Sequence, residues 1–171
     1  MDNVYKIKKS LKTPMIIATL ISIPVFADVI RKGFTLSTMI MVSGLMTLFY
    51  VLTLNNILRK IRITNSDVTI RGILGIRRIP KENINLIDGM TMGTRQFITI
   101  STKKRNYLIP NSFENFPSIV SDIEKIGHEE IIGKGLHSIK ENVIVRKSDI
   151  AGAWITVILL LIILLINYFP K

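Results

Sequence analysis

Apolar residues fall along this chain in three long blocks, and between the second and third the pattern changes to a two-residue alternation. The first block, Pro14 to Ile30, is seventeen residues long and stops at Arg31-Lys32-Gly33. That is the short limit for a helix crossing a bilayer. It contains Pro24, whose missing amide predicts a kink, and Asp28 near its end. The second block, Phe34 to Leu54, is twenty-one residues without a charge and apolar on every face. A helix with no polar face belongs in lipid rather than at a water boundary. The third block, Gly152 to Phe169, is eighteen residues with Trp154 near one end and Tyr168 near the other. Amphipathic rings at those places suit the two interfaces of a bilayer.

The three blocks predict three spanning helices, the first two forming a hairpin. The basic start before the first block resembles the leading region of a cleaved signal. No pair of small residues closes the block, however, and a longer span follows at once, so it is read as retained. A soluble hairpin is the competing reading. About forty apolar residues could not be covered by the hundred or so that remain.

Charge gives the expected orientation. Residues 1–13 carry four Lys and one Asp; Arg59, Lys60 and Arg62 follow the second block; Arg146 and Lys147 precede the third. The positive-inside rule places these three stretches in the cytoplasm and the C-terminus outside. Arg31 and Lys32 conflict mildly with that arrangement, and Asp28 partly neutralises them.

The middle segment reads as strands and then a helix. Ile61, Ile63, Val68 and Ile70 alternate with Arg62, Thr64, Thr69 and Arg71, the sign of half-buried strands. Asn65-Ser66-Asp67 predicts a tight turn, and Arg71 to Gly75 a second turn region. Ile76 to Ile79 continues as a strand ended by Pro80, and Ile84 to Ile87 is a short strand ended by Asp88-Gly89. Met90 to Thr94 reads as a loop. Phe97 to Ile100 and Tyr107 to Ile109 read as strands joined by the charged turn Lys103-Lys104-Arg105-Asn106. Phe113, Phe116, Ile119, Val120, Ile123 and Ile126 then recur at helical spacing. Asn111 or Ser112 is the expected cap, a start near Phe116 is allowed by Pro117, and Gly127 is the expected stop. One further short strand is expected at Asn142 to Val145.

The fold class is therefore an α+β membrane protein. The segments are a basic N-terminus (1–13), a two-helix transmembrane hairpin (14–54), a domain of strands and one helix (55–130), a linker (131–151) and a third transmembrane helix (152–169). A fragment of residues 56–130 is expected to be soluble and β-rich.

The run Ile61 to Gly72, followed by Arg78-Ile79-Pro80-Lys81-Glu82-Asn83-Ile84 and then Tyr107-Leu108-Ile109-Pro110-Asn111-Ser112-Phe113, resembles the bacterial pleckstrin-homology-like domains. The resemblance covers roughly residues 57–126. It implies a split β-barrel with a C-terminal helix and no enzymatic activity. It also implies a role at the cell envelope, such as resistance to membrane-active bacteriocins. A third span after the domain departs from the simplest layout of that family.

Composition narrows the chemistry. The 171 residues include no cysteine and two histidines, with a net charge of +11. Disulfides, thiol catalysis and cysteine-based zinc sites are impossible. His128-Glu129-Glu130 lacks the spacing of a zinc protease, and Gly133-Lys134-Gly135 is too short for a phosphate loop. No catalytic residue, metal site or cofactor is expected. Asp28 is read as an interfacial residue rather than a proton carrier. Residues 55–150 hold 16 basic and 10 acidic side chains, but the excess lies near the apolar blocks and no nucleic-acid motif is present, so nucleic acid is not an expected partner.

The candidate binding residues are two basic groups. Lys103, Lys104 and Arg105 form one, and Arg77, Arg78 and Lys81 the other. Each charge near an anionic leaflet contributes about 1 kcal/mol of attraction. The plainer reading, a solvated turn and boundary charges, is preferred for both on sequence alone. Arg59, Lys60, Arg62, Trp154 and Tyr168 are expected as interface anchors. Ser43-Gly44 with Thr47 would permit close helix packing. The expected partners are anionic lipid headgroups, a membrane protein or a second copy of the chain. A structural subunit of a larger membrane complex, of the transporter-accessory type, is the alternative.

Overall fold

A computed structural model describes residues 2–31, 35–144 and 147–168. Among them are five α-helices and two antiparallel sheets. The chain divides into two compact units, Met1–Lys8 with Leu58–Arg146, and Lys9–Ile57 with Lys147–Lys171.

The helical unit contains α1 (Lys9–Arg31), α2 (Leu36–Leu58) and α5 (Ser148–Tyr168). All three are long and apolar enough to cross a membrane. They begin or end several residues beyond the apolar blocks, because Lys9, Lys12 and Ser148 extend a helix without making it more apolar. α1 runs through both Pro14 and Pro24 as one helix. Its residues Pro14, Ala18, Ser22 and Val25 form a buried stripe at helical spacing. The Ser22 and Tyr50 hydroxyls lie 3.0 Å apart, which joins α1 to α2, and Phe26 meets Tyr50 edge to face. Gly44 has open space around it, and Ser43 and Thr47 beside it on α2 are exposed.

The second unit is α+β. Its first sheet has the order β1 (Asp2–Lys6), β2 (Lys60–Thr64), β3 (Asp67–Gly72), β4 (Gly75–Pro80). The second sheet is β5 (Ile84–Met92), β6 (Arg95–Thr102), β7 (Asn106–Pro110). Alternation puts Ile61, Ile63, Val68 and Ile79 of one sheet and Ile98, Ile100 and Ile109 of the other in the core. α3 (Phe116–Ile126) adds Phe116, Ile119, Val120 and Ile123 to it. Gly127 follows as the C-cap.

Several expectations are corrected here. The basic N-terminus is not a separate tail, since Asp2 to Lys6 pair in register with Thr64 to Lys60. Tyr5 and Asn3 both donate hydrogen bonds of 2.6 Å to the buried Asp122 of α3. Met90 to Met92 prolong β5, and the turn is confined to Gly93-Thr94, with Gly93 at φ +59°. The helix cap is Asn115, not Asn111 or Ser112. Asn111 is buried, and its amide donates to the carbonyls of Thr94 and Ile144.

The expected linker is also part of the unit. Leu136 and Ile139 of α4 (Lys134–Glu141) are buried. Asp88 accepts hydrogen bonds from the amides of Gly89 and Gly135. A Cβ at Gly135 would collide with the Gly89 carbonyl oxygen, so two glycines are needed where α4 crosses β5. Asn142 to Ile144 form no strand. Gln96 instead donates to the Asn142 carbonyl and accepts from the Ile144 amide. Val145 lies outside the described residues, as do Lys32, Arg146, Phe169 and Lys171.

Candidate functional site

The β6–β7 turn is stapled by one side chain. The Thr102 hydroxyl donates to the Arg105 carbonyl at 2.8 Å and accepts from the Arg105 amide at 3.1 Å. This loop closure leaves Lys103 and Lys104 exposed at the tip. Opposite them β4 stops at Pro80, where a 3-10 turn of Lys81–Asn83 leads into β5. The Lys81 amide donates to the Ser66 carbonyl at 2.8 Å and fixes that turn against the β2–β3 connection.

A cleft of about 310 Å³ opens between these two structures. Arg78, Glu82, Asn83, Thr102, Lys103 and Lys104 supply its polar lining, together with Asn85 and Tyr107. The two basic groups seen in the sequence thus meet at one place, but only in part. Alternation along β4 sends Arg77 to the opposite face from Arg78. Lys81 and Arg105 do not line the cleft.

Arg78 is held rather than mobile. Its guanidinium donates to Asp67 Oδ2 at 2.9 and 2.6 Å. Asp67 is buried, which alone would raise its pKa. Hydrogen bonds from Arg78 and Thr69 and the Arg78 charge outweigh burial and hold the carboxyl below the usual range. Arg78 therefore presents oriented donors with much of its charge compensated. Among the described residues neither Lys103 nor Lys104 has an ion pair, and Glu82 is the acid on the lining. A shallower hollow lined by Arg62, Thr64, Ser66, Asp67 and Thr69 shares Arg78 with the cleft.

Two of the expected anchors, Arg59 and Arg62, have partners within the domain. Arg59 donates to the Leu108 carbonyl at 3.0 Å, with its guanidinium 5.9 Å from the centre of the Phe113 ring. Burial, and after it the charge of Arg77, lower its pKa. Arg62 forms a two-pronged pair with Asp2 across the β1–β2 ladder at 2.7 and 2.6 Å. Lys60 is exposed on β2, and Trp154 and Tyr168 are exposed on α5. His137 lies 3.7 Å from Glu124, a partner on α3 that its own helix does not reveal. No group of His, Asp and Glu among the described residues is placed to hold a metal.

The cleft has a definite place in the sheets. Lys6, Lys60 and Arg71 mark one end of the first sheet, and Asp2, Thr64, Asp67 and Pro80 the other. In the second sheet Phe97 and Pro110 share the first end, because Lys8 and Lys6 are bonded to Ser112 and Glu114 just after β7. Ser101 and Asn106 close the far end. The chain leaves for α1 after Lys6, returns from α2 at Lys60, and is pinned at Ile144, before α5, to Asn111 and Gln96. All three connections sit at the first end; the cleft sits at the other, roughly 13 Å along the strands.

No protein-family model matches the chain, and comparison with curated proteins and with solved structures found no match.

Proposed function

We propose that this chain is a non-enzymatic, membrane-anchored binding module whose α+β domain takes an anionic group of a partner protein into the cleft between Arg78 and Lys103-Lys104. The observation that carries this is the convergence of the two basic groups from different sheets onto one cleft with amide and hydroxyl donors around it. Lysines on a rigid, stapled turn beside an arginine already oriented by Asp67 suit a carboxylate or phosphate. A lining that sets the paired Arg78 and the acidic Glu82 beside the two lysines suits one oriented anionic group of a partner better than a broad field of lipid charge.

The pleckstrin-homology-like reading belongs to the same proposal. Four strands, then three, then an amphipathic helix is the order that a split barrel with a C-terminal helix requires. An envelope role, with bacteriocin resistance as one form of it, rests on that resemblance. For the topology, pairing of β1 with β2 supports the same side for the N-terminus and the domain, with α1 and α2 as a hairpin between them. Positive-inside bias then puts both in the cytoplasm and the C-terminus outside.

The test is a titration of the full chain, in nanodiscs of zwitterionic lipid, with an oligoglutamate peptide. Lys103→Ser with Lys104→Ser should weaken binding roughly tenfold, as expected for two rim charges. Arg95→Ser with Lys134→Ser removes the same charge from elsewhere on the surface and should change little. Equal losses in the two double variants would refute the cleft as the site.

A further inference from the structure

The end of the domain that carries the chain connections has a surface of its own. In the first sheet Lys6 stands directly opposite Lys60, and Lys60 opposite Arg71. All three are exposed, and directly opposed residues share a face of the sheet. Like charges so placed repel one another and weaken the ladder. The next position in the row is Ile76, opposite Arg71.

Ile76 belongs to an apolar tip. The β3–β4 hairpin turns through Ile73-Leu74-Gly75, with Gly75 at φ +130°. Ile73, Leu74 and Ile76 are 47%, 65% and 63% exposed. Turn positions are ordinarily polar, and three large aliphatic side chains at one tip gain nothing from water. A row of cations beside an apolar tip is the pattern of a surface that meets anionic lipid.

We propose that this end of the domain rests on the phospholipid surface, with the Ile73–Ile76 tip entering the interface and Lys6, Lys60 and Arg71 taking lipid phosphates. Two arguments select lipid over a protein partner. Lys6 stands three residues before α1 and Lys60 two residues after α2, so the same end of the sheet is tied to two apolar helices. The opposed cations also need a counter-charge, which an anionic leaflet supplies across the whole row. Glu114, bonded through its amide to the Lys6 carbonyl, is the acidic residue close by. The inference rests on the membrane reading of the helices and is independent of the cleft.

The chain has no cysteine, so single labels are clean. An environment-sensitive fluorophore is placed on Leu74→Cys, on Ser66→Cys at the far end, and on Leu48→Cys within α2. The full chain is held in nanodiscs of phosphatidylcholine and phosphatidylglycerol, with or without a lipid carrying a quencher. The expected result is blue-shifted emission and loss of most intensity at 74 and 48, with 66 unaffected. Quenching at 48 but not at 74 overturns this inference and leaves the membrane reading standing. Quenching at none of the three overturns both, and equal quenching at 66 and 74 overturns the assignment of the tip. Arg71→Ser with Lys60→Ser should reduce the loss at 74; an unchanged loss would overturn the role of the cation row.

Discussion

Replacing Tyr5 by Phe tests whether the N-terminal strand is a working part of the domain. The Tyr5 hydroxyl donates to Asp122 Oδ2 at 2.6 Å, and Asp122 is only 5% exposed. A hydrogen bond to a charged, buried acceptor is worth about 1.5–3 kcal/mol. Asp122 would keep the Asn3 bond at 2.6 Å and the Lys125 ammonium at 3.7 Å, which argues for the middle of that range, about 2 kcal/mol. The pH dependence has two edges. Burial would raise the Asp122 pKa, but hydrogen bonds from Tyr5 and Asn3 and the Lys125 charge hold it below its ordinary 3.8. Its stabilisation is complete above that value and disappears as pH falls through the lower folded one. Burial, then the bond to Asp122 and its charge, push Tyr5 up to about 12 from 10.0. The neutral phenol therefore stabilises fully below pH 10.0, and this is lost as pH climbs toward 12. The deficit of Tyr5→Phe should be flat between these edges and shrink beyond either. Amide hydrogen exchange of the β1–β2 ladder in the full chain reads it, with about thirty-fold faster exchange at neutral pH for about 2 kcal/mol. Exchange unchanged within about two-fold, or a deficit that grows in acid, would refute the reasoning. In an Asp122→Ala background the same change should have little effect.

Other outcomes follow from the same contacts. Gly135→Ala should cost about 1–3 kcal/mol, because its new methyl meets the Gly89 carbonyl, with faster amide exchange in α4 and the facing part of β5. The Asp67 carboxyl should titrate below 3.8 by carbon NMR, and Arg78→Ala should raise its midpoint; an unmoved midpoint would break the Arg78–Asp67 link. A fragment of residues 56–130 lacks β1 and α4 and should fail to give a dispersed amide spectrum. Joining Lys8 to Leu58 by a short turn, and ending the fragment after Ile144, should restore one, since Lys6 and Lys60 already face each other as neighbours in a hairpin would.

The sequence was informative where the period was unbroken. The three apolar helices, the alternation through Ile61 to Ile70 and the face from Phe116 to Ile126 all follow from spacing alone. Asp2–Lys6 was opaque because five residues with Asp, Asn and Lys among them carry no alternation, and their partner β2 lies more than fifty residues away. The segment after Gly127 was opaque for another reason. Its contacts are a half-buried carboxylate, Asp88, and two buried side-chain amides, Gln96 and Asn111, none of which announces a partner. For the cleft, both basic groups were visible, but their meeting was not. Which members face each other depends on strand parity at Arg77-Arg78 and on the Thr102 staple.

The most direct test of the account is a map of where an anion binds. Amide shifts of the full chain in nanodiscs, followed while oligoglutamate is added, should move at Arg78, Asn83, Thr102 to Lys104 and Tyr107, with Lys6, Lys60 and Arg71 still. Shifts confined to Lys6, Lys60 and Arg71, or spread over every basic residue alike, would contradict a specific site in the cleft.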